Sequence, residues 1–410
     1  MSVAAIITYT IVFLAVYVQV FFLVTLLERR KELAAAHRKG YSLSTYPSVA
    51  IIMPCWNEEK TVHGTVESLL ALDYPKDKLE IIIVDDGSTD GTWKEIQQYQ
   101  GHSQIKIFHK ENGGKHTAVN FGIAQTSTDF IGCLDADSFV APDALARIIS
   151  VFQEKPDTMA VAPAVIIHRP TNLMQKVQKV EYNMGLYLKK MQALLGAIHV
   201  TPGPFSIFRR TVFEKLGGFR KAHNTEDMEI AYRMQEAHMK IEHCHTAQVY
   251  TVAPDTVKKL YKQRTRWIYG FIQNSLDYKH LIFRKEYGHF ALFTIPAGII
   301  SICAAVYLFF AALYNLVGWI AEKIVQWRAV GISAPRVSLD WFYINTGTIV
   351  FVTTILYALL IMAMVLGSRL AKQKFSWHIV SYMVVYSIIA PFWLLKAIWN
   401  SLRAKQPNWR

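Results

Sequence analysis

The chain has 410 residues, of which 52% are hydrophobic, and a formal net charge of +13. This length is sufficient for one large soluble domain together with membrane segments. The positive charge does not by itself indicate nucleic-acid binding, because no zinc-finger spacing or other nucleic-acid motif accompanies it. We attribute it to membrane-flanking Lys and Arg and to a groove for an anionic ligand.

The first predicted element is a membrane anchor within residues 1–30. Residues 3–27 form an apolar run that is long enough to cross a hydrocarbon core of about 30 Å. A cleaved signal peptide is disfavoured, since no Lys or Arg precedes the run and the run is too long for a signal-peptide core. The positive-inside rule makes the side after the run cytoplasmic. The basic residues that follow it are Arg29, Arg30, Lys31, Arg38 and Lys39.

The region 289–410 contains three further apolar runs, at about 290–320, 345–367 and 378–399. Basic residues between the last two runs indicate a second cytoplasmic segment, so the first of these runs crosses outward and the next crosses back. A crossing by the last run would place the basic C-terminus outside, and the number of crossings therefore stays open. An interfacial helix before the span is an alternative for the first run, which contains Pro296 and Gly298.

Between these ends, residues 48–288 have the composition of a soluble domain, with strands and helices in alternation. This alternation predicts a mostly parallel, Rossmann-like α/β sheet, whose ligands bind beyond the carboxyl ends of the strands. Pro54 is expected to end the first strand. The predicted strands are 49–53, 80–84, 104–108 and 129–134, and the predicted helices are 58–72, 91–99, 115–125 and 228–238.

The four cysteines are dispersed without a CxxC pair, as expected for reduced thiols in a cytosolic domain. His243 and His245 would share one face of an extended strand. Two imidazoles make half of a zinc site, and we do not predict metal binding there.

The second strand leads into Asp85-Asp86-Gly87-Ser88. Asp and Ser cap helices readily, and capping by Ser88 or Asp90 explains part of the pattern. Two adjacent carboxylates exceed what a cap requires. Their alternative use is to accept hydrogen bonds from a uracil N–H or from ribose hydroxyls.

Gly113-Gly114-Lys115 opens the third predicted helix. Glycines at a helix start bring backbone N–H groups close to an anion, and Lys115 adds a point charge. The spacing of a Walker loop is absent. A flexible turn with a surface lysine remains an equal alternative.

Asp135-Ala136-Asp137 follows the fourth strand. Two carboxylates one residue apart can converge on one hard cation, so Asp135 and Asp137 are candidate ligands of Mg²⁺ or Mn²⁺ bridging to substrate phosphates. Such a cation would act as a Lewis acid on a leaving diphosphate. The alternative is a solvated acidic turn.

Thr225-Glu226-Asp227 precedes the helix at 228–238. Thr225 or Asn224 could cap that helix. The functional interpretation takes Asp227 as a general base that removes a proton from a sugar hydroxyl, and it includes Glu226 among the candidate catalytic residues.

Gln263-Arg264-Thr265-Arg266-Trp267 lies in a predicted helix before the C-terminal apolar runs. A juxtamembrane belt of Arg and Trp is one explanation. Combined with the other motifs, the helical spacing instead predicts that Gln263 and Arg266 bind a diphosphate and that Trp267 stacks against an acceptor sugar ring.

Taken together, these strings resemble the membrane-embedded family 2 glycosyltransferases, which include cellulose, hyaluronan, chitin-oligosaccharide and poly-N-acetylglucosamine synthases. The resemblance covers roughly residues 50–270 and implies a GT-A fold, UDP-sugar donors, a divalent cation and inversion at the anomeric carbon. The strings that carry it are Pro54-Cys55-Trp56-Asn57-Glu58-Glu59, Val84 to Ser88, Asp135 to Asp137, Gly203-Pro204-Phe205-Ser206, Thr225 to Asp227 and Gln263 to Trp267.

The resemblance also implies site residues. By it, Asp85 and Asp86 contact uridine, Lys115 contacts the donor, Asp137 is the more direct metal ligand beside Asp135, and Asp227 is the base. The acceptor-site loop is Gly203 to Ser206, with Gly203, Pro204 and Ser206 as its candidates. The signature of processive members is Gln263, Arg264, Arg266 and Trp267. Gly270, a small residue after the tryptophan, is similar to the poly-N-acetylglucosamine synthases.

We therefore expect a multi-pass protein of the cell membrane with a cytoplasmic active site, which adds a sugar from a UDP-sugar, with N-acetylglucosamine favoured, to a growing polysaccharide. The first alternative is transfer of one sugar to a lipid-linked acceptor, and the second is an interaction protein with a retired transferase domain. Expected partners are the donor, the acceptor, membrane lipids and an accessory membrane subunit, without nucleic acid. Both enzyme interpretations require Asp137, Asp227 and Trp267 to line one cavity. Product size separates these two interpretations, and donor-dependent UDP release would exclude the third.

Overall fold

In the computed structural model, the described residues are 3–33, 40–331, 348–404 and 406–407. Arg38, Lys39 and the start of the 345–367 run lie outside the described residues, as do Lys405 and Arg410 of the basic C-terminus. The helices are α1 (Val3–Glu28), α2 (Val62–Leu70), α3 (Thr92–Gln97), α4 (Lys115–Ala124), α5 (Ala144–Glu154), α6 (Leu173–Leu194), α7 (Arg210–Leu216), α8 (Glu226–Glu236), α9 (Val257–Asp277), α10 (Ile295–Val330), α11 (Thr348–Leu370) and α12 (His378–Leu402).

The centre of the molecule is one sheet with the strand order β3-β2-β1-β4-β7-β6-β8-β5. The first four strands in this order are parallel, as the alternation predicted, whereas β7 is antiparallel to both β4 and β6 and β5 is antiparallel to β8. The strands are β1 (Val49–Cys55), β2 (Leu79–Asp86), β3 (Ile105–Lys110), β4 (Phe130–Cys133), β5 (Ser138–Val140), β6 (Thr158–Ile167), β7 (Ser206–Arg209) and β8 (Lys240–Thr251).

Successive residues of β1 face opposite sides of the sheet, and both sides are covered by helices. Val49, Ile51 and Met53 pack with α2, α3 and α5. Ala50 and Ile52 pack with α4, α7 and α8. A strand buried on both faces is therefore apolar at every position, which explains the continuous run in the sequence.

The prediction that Pro54 ends β1 is wrong. The strand continues to Cys55 and pairs Pro54 with Val84 of β2. The ladder between β1 and β4 has already ended at Ile52 and Cys133. Proline lacks a backbone N–H, and it is tolerated here because it lies past the end of the second ladder.

Within the described residues, four helices are long and apolar enough to cross a membrane: Val3–Glu28, Phe290–Ala329, Val350–Leu370 and His378–Leu402. The predicted runs thus form helices. A π-helical turn, Phe290–Thr294, leads directly into α10, so the interfacial helix considered for this run is not observed. Pro296 is the second residue of α10 and directly follows this π-helical turn.

The last apolar helix, α12, follows the soluble domain along its length. Near its start Ile379 packs with Val180 of α6, and near its end Ser401 accepts a hydrogen bond of 2.7 Å from Gln273 of α9. The side chains that face away from the domain are exposed and apolar, at four-residue spacing: Val380, Val384, Ile388 and Phe392. The helix thus packs on the domain with one face and presents an apolar stripe on the other.

Candidate active site

A cavity of about 1430 Å³ lies beyond the carboxyl ends of β1, β2 and β4 and extends to Gly298, Ser301 and Ile302 of α10. The carboxyl end of a parallel sheet is where ligands of such folds bind. The motifs from distant parts of the chain meet here. The sequence-predicted residues that line the cavity are Asp86, Lys115, Asp135, Asp137, Gly203, Pro204, Glu226, Asp227, Gln263, Arg264, Arg266 and Trp267.

Two sequence-predicted residues, Asp85 and Ser206, do not belong to that lining. Asp85 is fully buried; its carboxylate is 2.6 Å from Nδ1 of His109 and accepts a hydrogen bond from Ser88. The Ser206 hydroxyl donates to the carbonyl of Pro202 at 2.6 Å. Both side chains are engaged in holding a loop, and Ser206 lines a small neighbouring cavity together with Lys115 and Asp227. Their assignment to substrate binding stays a prediction.

Asp86 lines the cavity, and it also binds the start of α4. Its carboxylate accepts hydrogen bonds from the backbone N–H groups of Gly113 (3.1 Å) and Gly114 (2.9 Å) and from Lys110 Nζ (2.6 Å). The anion that we predicted at the two glycines is therefore a carboxylate of the protein itself. The capping prediction holds in part, since Asp90 accepts from the N–H of Thr92, the first residue of α3.

Lys115 connects two of the acidic motifs. Its ammonium lies 2.5 Å from Asp135 and 3.2 Å from Glu226. Burial alone would lower the pKa of Lys115, but the charges of these carboxylates and of Asp227 outweigh burial and raise it. A side chain at Gly203 would place its Cβ 2.7 Å from Lys115 Nζ and 2.9 Å from an Asp135 oxygen. The acceptor-loop glycine therefore leaves room for this ion pair.

Asp137 has no cationic partner of its own among the described residues. Burial, followed by the charges of Asp135 and Glu58, raises the pKa of Asp137 to about 7. Its one hydrogen bond comes from the Ser138 hydroxyl at 3.1 Å. No group of three or more His, Cys, Asp or Glu that could hold a metal occurs within the part of the chain that the structure describes. The protein thus offers two carboxylates here, and not a complete set of ligands.

Asp227 lies in the first turn of α8. Burial and the neighbouring Glu226 raise the pKa of the Asp227 carboxyl to about 6, although Lys115 and Arg266 oppose this shift. The backbone N–H and the hydroxyl of Thr201 both donate to the Asp227 carbonyl, at 3.1 and 2.9 Å. The carboxyl is thus a buried group in a fixed position with a pKa near neutrality, which suits proton transfer.

The segment before Asp227 is strained. Ala222, His223 and Asn224 have φ values of 39°, 58° and 61°, in the left-handed region that costs most residues about 1–2 kcal/mol. The predicted cap is not observed, because the Thr225 hydroxyl donates to the Ala222 carbonyl and not to the helix. Strain of this kind persists only where surrounding contacts enforce it.

Helix α9 supplies those contacts. Arg266 donates to the Asn224 carbonyl at 2.7 Å, and Asn274 donates to the Thr225 hydroxyl at 3.1 Å. A side chain at Gly270 would collide with Thr225. The small residue that we noted after the tryptophan therefore allows α9 to approach the Asp227 segment closely.

The same helix presents Trp267 to the cavity. The guanidinium of Arg264 lies 4.1 Å from the Trp267 ring centroid and donates to Glu181 at 2.6 Å. A cation over an indole face is attractive. Arg264 thus fixes the tryptophan from one side while it also lines the cavity, and its assignment to substrate binding stays a prediction.

Sequence reasoning missed α6, which contributes Glu181 and Lys189 to the cavity, and the loop after it, which contributes His199. No motif marks these residues. The helix has an amphipathic sequence typical of a surface helix, and it becomes a cavity wall only because α11 and α12 cover its other faces. A charged residue on a predicted helix carries no signal that distinguishes these two settings.

Comparison with known proteins finds similar glycosyltransferases. The sequence model of the family described as "Glycosyl transferase family 2" matches residues 50–217. Poly-beta-1,6-N-acetyl-D-glucosamine synthase of Staphylococcus epidermidis is 28% identical, covering 85% of this chain and 84% of that protein. The enzyme of the same name from Staphylococcus aureus (strain COL) is 32% identical, covering 56% of this chain and 58% of that protein.

A solved structure shares the fold over nearly the whole chain. It is "Mannosyltransferase PcManGT from Pyrobaculum calidifontis in complex with GDP-Man and Mn2+", with a TM-score of 0.59 and 19% identity, covering 96% of this chain and 99% of that one. At this identity the similarity supports the fold alone. The predicted GT-A architecture with flanking apolar helices is confirmed.

Proposed function

Because the chain is a multi-pass membrane glycosyltransferase of family 2 with its catalytic domain in the cytoplasm, we propose that it transfers N-acetylglucosamine from UDP-N-acetylglucosamine to a growing polysaccharide, with inversion at the anomeric carbon. The similarity to two poly-N-acetylglucosamine synthases supports this donor and product. The observation that carries the proposal is that Asp137, Asp227 and Trp267 line one cavity.

The donor occupies the end of the cavity formed by Asp86, Lys115 and Asp135. The residues present fit a divalent cation, because Asp137 is a buried carboxylate without a cationic partner among the described residues and Asp135 lies two residues away. Asp137 and Asp135 would hold Mg²⁺ or Mn²⁺ together with donor oxygens. A cation bound there would neutralise charge on the leaving diphosphate.

Asp227 is the general base. Its carboxylate takes the proton from the acceptor hydroxyl while the hydroxyl oxygen attacks the anomeric carbon and the bond to UDP breaks. The buried setting keeps the Asp227 pKa near 6, so the base is ionised at neutral pH and still basic enough to accept a proton. Glu226 is occupied by Lys115 and acts by positioning that lysine.

Trp267 supports the acceptor ring. The cavity continues past this indole to Gly298, Ser301 and Ile302 of α10, so an elongating chain would leave the active site toward the apolar helices. Aromatic faces bind sugar rings through their apolar C–H surfaces. The Arg264 and Glu181 pair behind the indole holds its orientation through successive additions.

The test is donor turnover by membranes that contain the protein. We expect UDP release from UDP-N-acetylglucosamine with Mg²⁺ or Mn²⁺, and a radiolabelled product that grows in length with time. Other UDP-sugars serve as controls for donor choice. Product limited to one added sugar on a lipid would instead favour the non-processive alternative, and an absence of UDP release with every donor would refute the proposal.

A further inference from the structure

Three polar groups of the cavity wall have no hydrogen-bond partner within the described part of the chain. Lys189 of α6 forms no hydrogen bond or ion pair with the described residues, although its charge interacts with that of Asp227. Nδ1 of His199 and Oε1 of Gln263 are buried and without a hydrogen bond. All three residues line the cavity. Buried polar atoms in folded proteins are normally paired, so a cluster of unpaired atoms around one cavity points to a ligand.

Lys189 and His199 interact electrostatically with each other, and His199 lies close to both the base and α10. His199 is two residues from Thr201, which binds the Asp227 carbonyl. The His199 ring lies edge-on to Phe271, with 6.1 Å between centroids, and Phe271 contacts Gly298 of α10. His199 thus stands between Asp227 and the helices toward which the acceptor chain would extend.

The pKa values of Lys189 and His199 are both lowered, whereas the pKa of Lys115 at the donor end is raised. Burial lowers the pKa of Lys189 to about 8, with the charge of Asp227 opposing the shift. Burial, and then the charge of Lys189, lowers the pKa of His199 to about 4, so this imidazole is neutral. Burying an ammonium is unfavourable, and the charge of Asp227 only partly offsets this cost.

We propose that Lys189 and His199 form an acceptor subsite that binds oxygen atoms of the terminal sugar of the chain being extended. An ammonium donates three hydrogen bonds and accepts none. Lys189 therefore favours hydroxyl or amide-carbonyl oxygens and disfavours an acceptor whose terminal sugar carries a free, protonated amine. The neutral His199 ring provides a second hydrogen-bonding atom. This inference rests on the proposed function and names the acceptor that the same site selects.

The experiment measures UDP release by the full-length protein with two acceptors, an N-acetylglucosamine oligosaccharide and the matching glucosamine oligosaccharide. For Lys189→Met we expect the KM for the N-acetylated acceptor to rise roughly tenfold or more, as for loss of a charge-assisted hydrogen bond. The preference for the N-acetylated acceptor should shrink by a similar factor. The donor KM and the slow donor hydrolysis without acceptor should stay unchanged. His199→Phe, which keeps the packing on Phe271, should show a smaller rise.

Two further variants control the test. Lys179→Met changes a lysine of the same helix that does not line the cavity, and it should leave every constant unchanged. Lys189→Arg keeps the cation and should retain the preference between acceptors, which would show that charge and not packing is responsible.

An unchanged acceptor KM in Lys189→Met would overturn the inference. So would a shift in the pH profile of kcat with no change in acceptor KM, because Lys189 would then act only through the charge of Asp227. An inactive wild-type protein with every UDP-sugar would refute the proposed function instead, and the two failures are thereby distinguishable.

Discussion

The two ends of the cavity differ in how their polar groups are satisfied. At the donor end the charged side chains other than Asp137 are paired with one another, whereas at the acceptor end two polar groups beside the Arg264–Glu181 pair have no hydrogen-bond partner within the described residues. The paired residues are Asp86 with Lys110, and Lys115 with Asp135 and Glu226. The groups without a hydrogen-bond partner are the Lys189 ammonium and Nδ1 of His199.

This difference implies two modes of binding. A ligand at the donor end must replace protein ion pairs that already hold the site in shape, so its binding exchanges one set of partners for another. A ligand at the acceptor end adds partners to groups that lack them. Removal of a donor-end residue should therefore change the donor KM, removal of an acceptor-end residue the acceptor KM, and removal of the base neither of them.

Asp227→Asn should have the largest effect. We expect kcat to fall about 10²–10⁴-fold, the range for loss of a general base, with both KM values nearly unchanged. The wild-type rate should also fall as pH drops below about 6, because burial raises the Asp227 pKa to about 6 and only the ionised form accepts a proton. Steady-state kinetics from pH 5 to 8 test both points. Asp157→Asn, on the surface, is the matched control, and near-normal turnover in Asp227→Asn would exclude the base assignment.

Gly270→Leu should have the second-largest effect on kcat. The new side chain would collide with Thr225 and push the strained segment that leads to Asp227. A misplacement of about 1 Å can cost about 10²-fold in rate, and we expect a loss of that order in kcat. Gly318→Leu is the control, because no atom lies within 4 Å of a Cβ at that position. Equal behaviour of the two variants would show that α9 does not position the base.

Lys115→Met tests the donor end alone. It removes the ammonium that pairs with Asp135 and Glu226 and leaves their negative charges beside the donor diphosphate. We expect the donor KM to rise roughly 10- to 100-fold, the range for a lost charge-assisted interaction. The acceptor KM should not change, and Lys94→Met on the surface should be neutral. A rise in the acceptor KM instead would contradict the division of the cavity into two ends.

The comparison also shows what the sequence could predict. Motifs at strand ends identified the donor end, since the carboxyl ends of parallel strands meet at one edge and place Asp86 and Asp135 together. Sequence could not show that Gly113 and Gly114 bind Asp86 and not a ligand, because the N–H groups of a helix start suit any carboxylate. Sequence analysis did not identify Lys189 and His199 as site residues, because their position depends on how α6 packs against helices far along the chain.

Substitution of the two adjacent aspartates should give the smallest change in kinetics and the clearest difference between two variants. Sequence treats Asp85 and Asp86 alike, yet Asp85 is buried against His109 and Ser88 while Asp86 lines the cavity.

Asp86→Asn should raise the donor KM roughly tenfold, because it weakens the contacts to Lys110 and to the start of α4. Asp85→Asn should leave the donor KM near its wild-type value and instead lower the free energy of unfolding by about 1 kcal/mol, the usual contribution of a hydrogen bond. Donor titration and thermal unfolding of both variants separate these outcomes, and a larger loss of donor binding in Asp85→Asn would place that carboxylate, and not Asp86, against the donor.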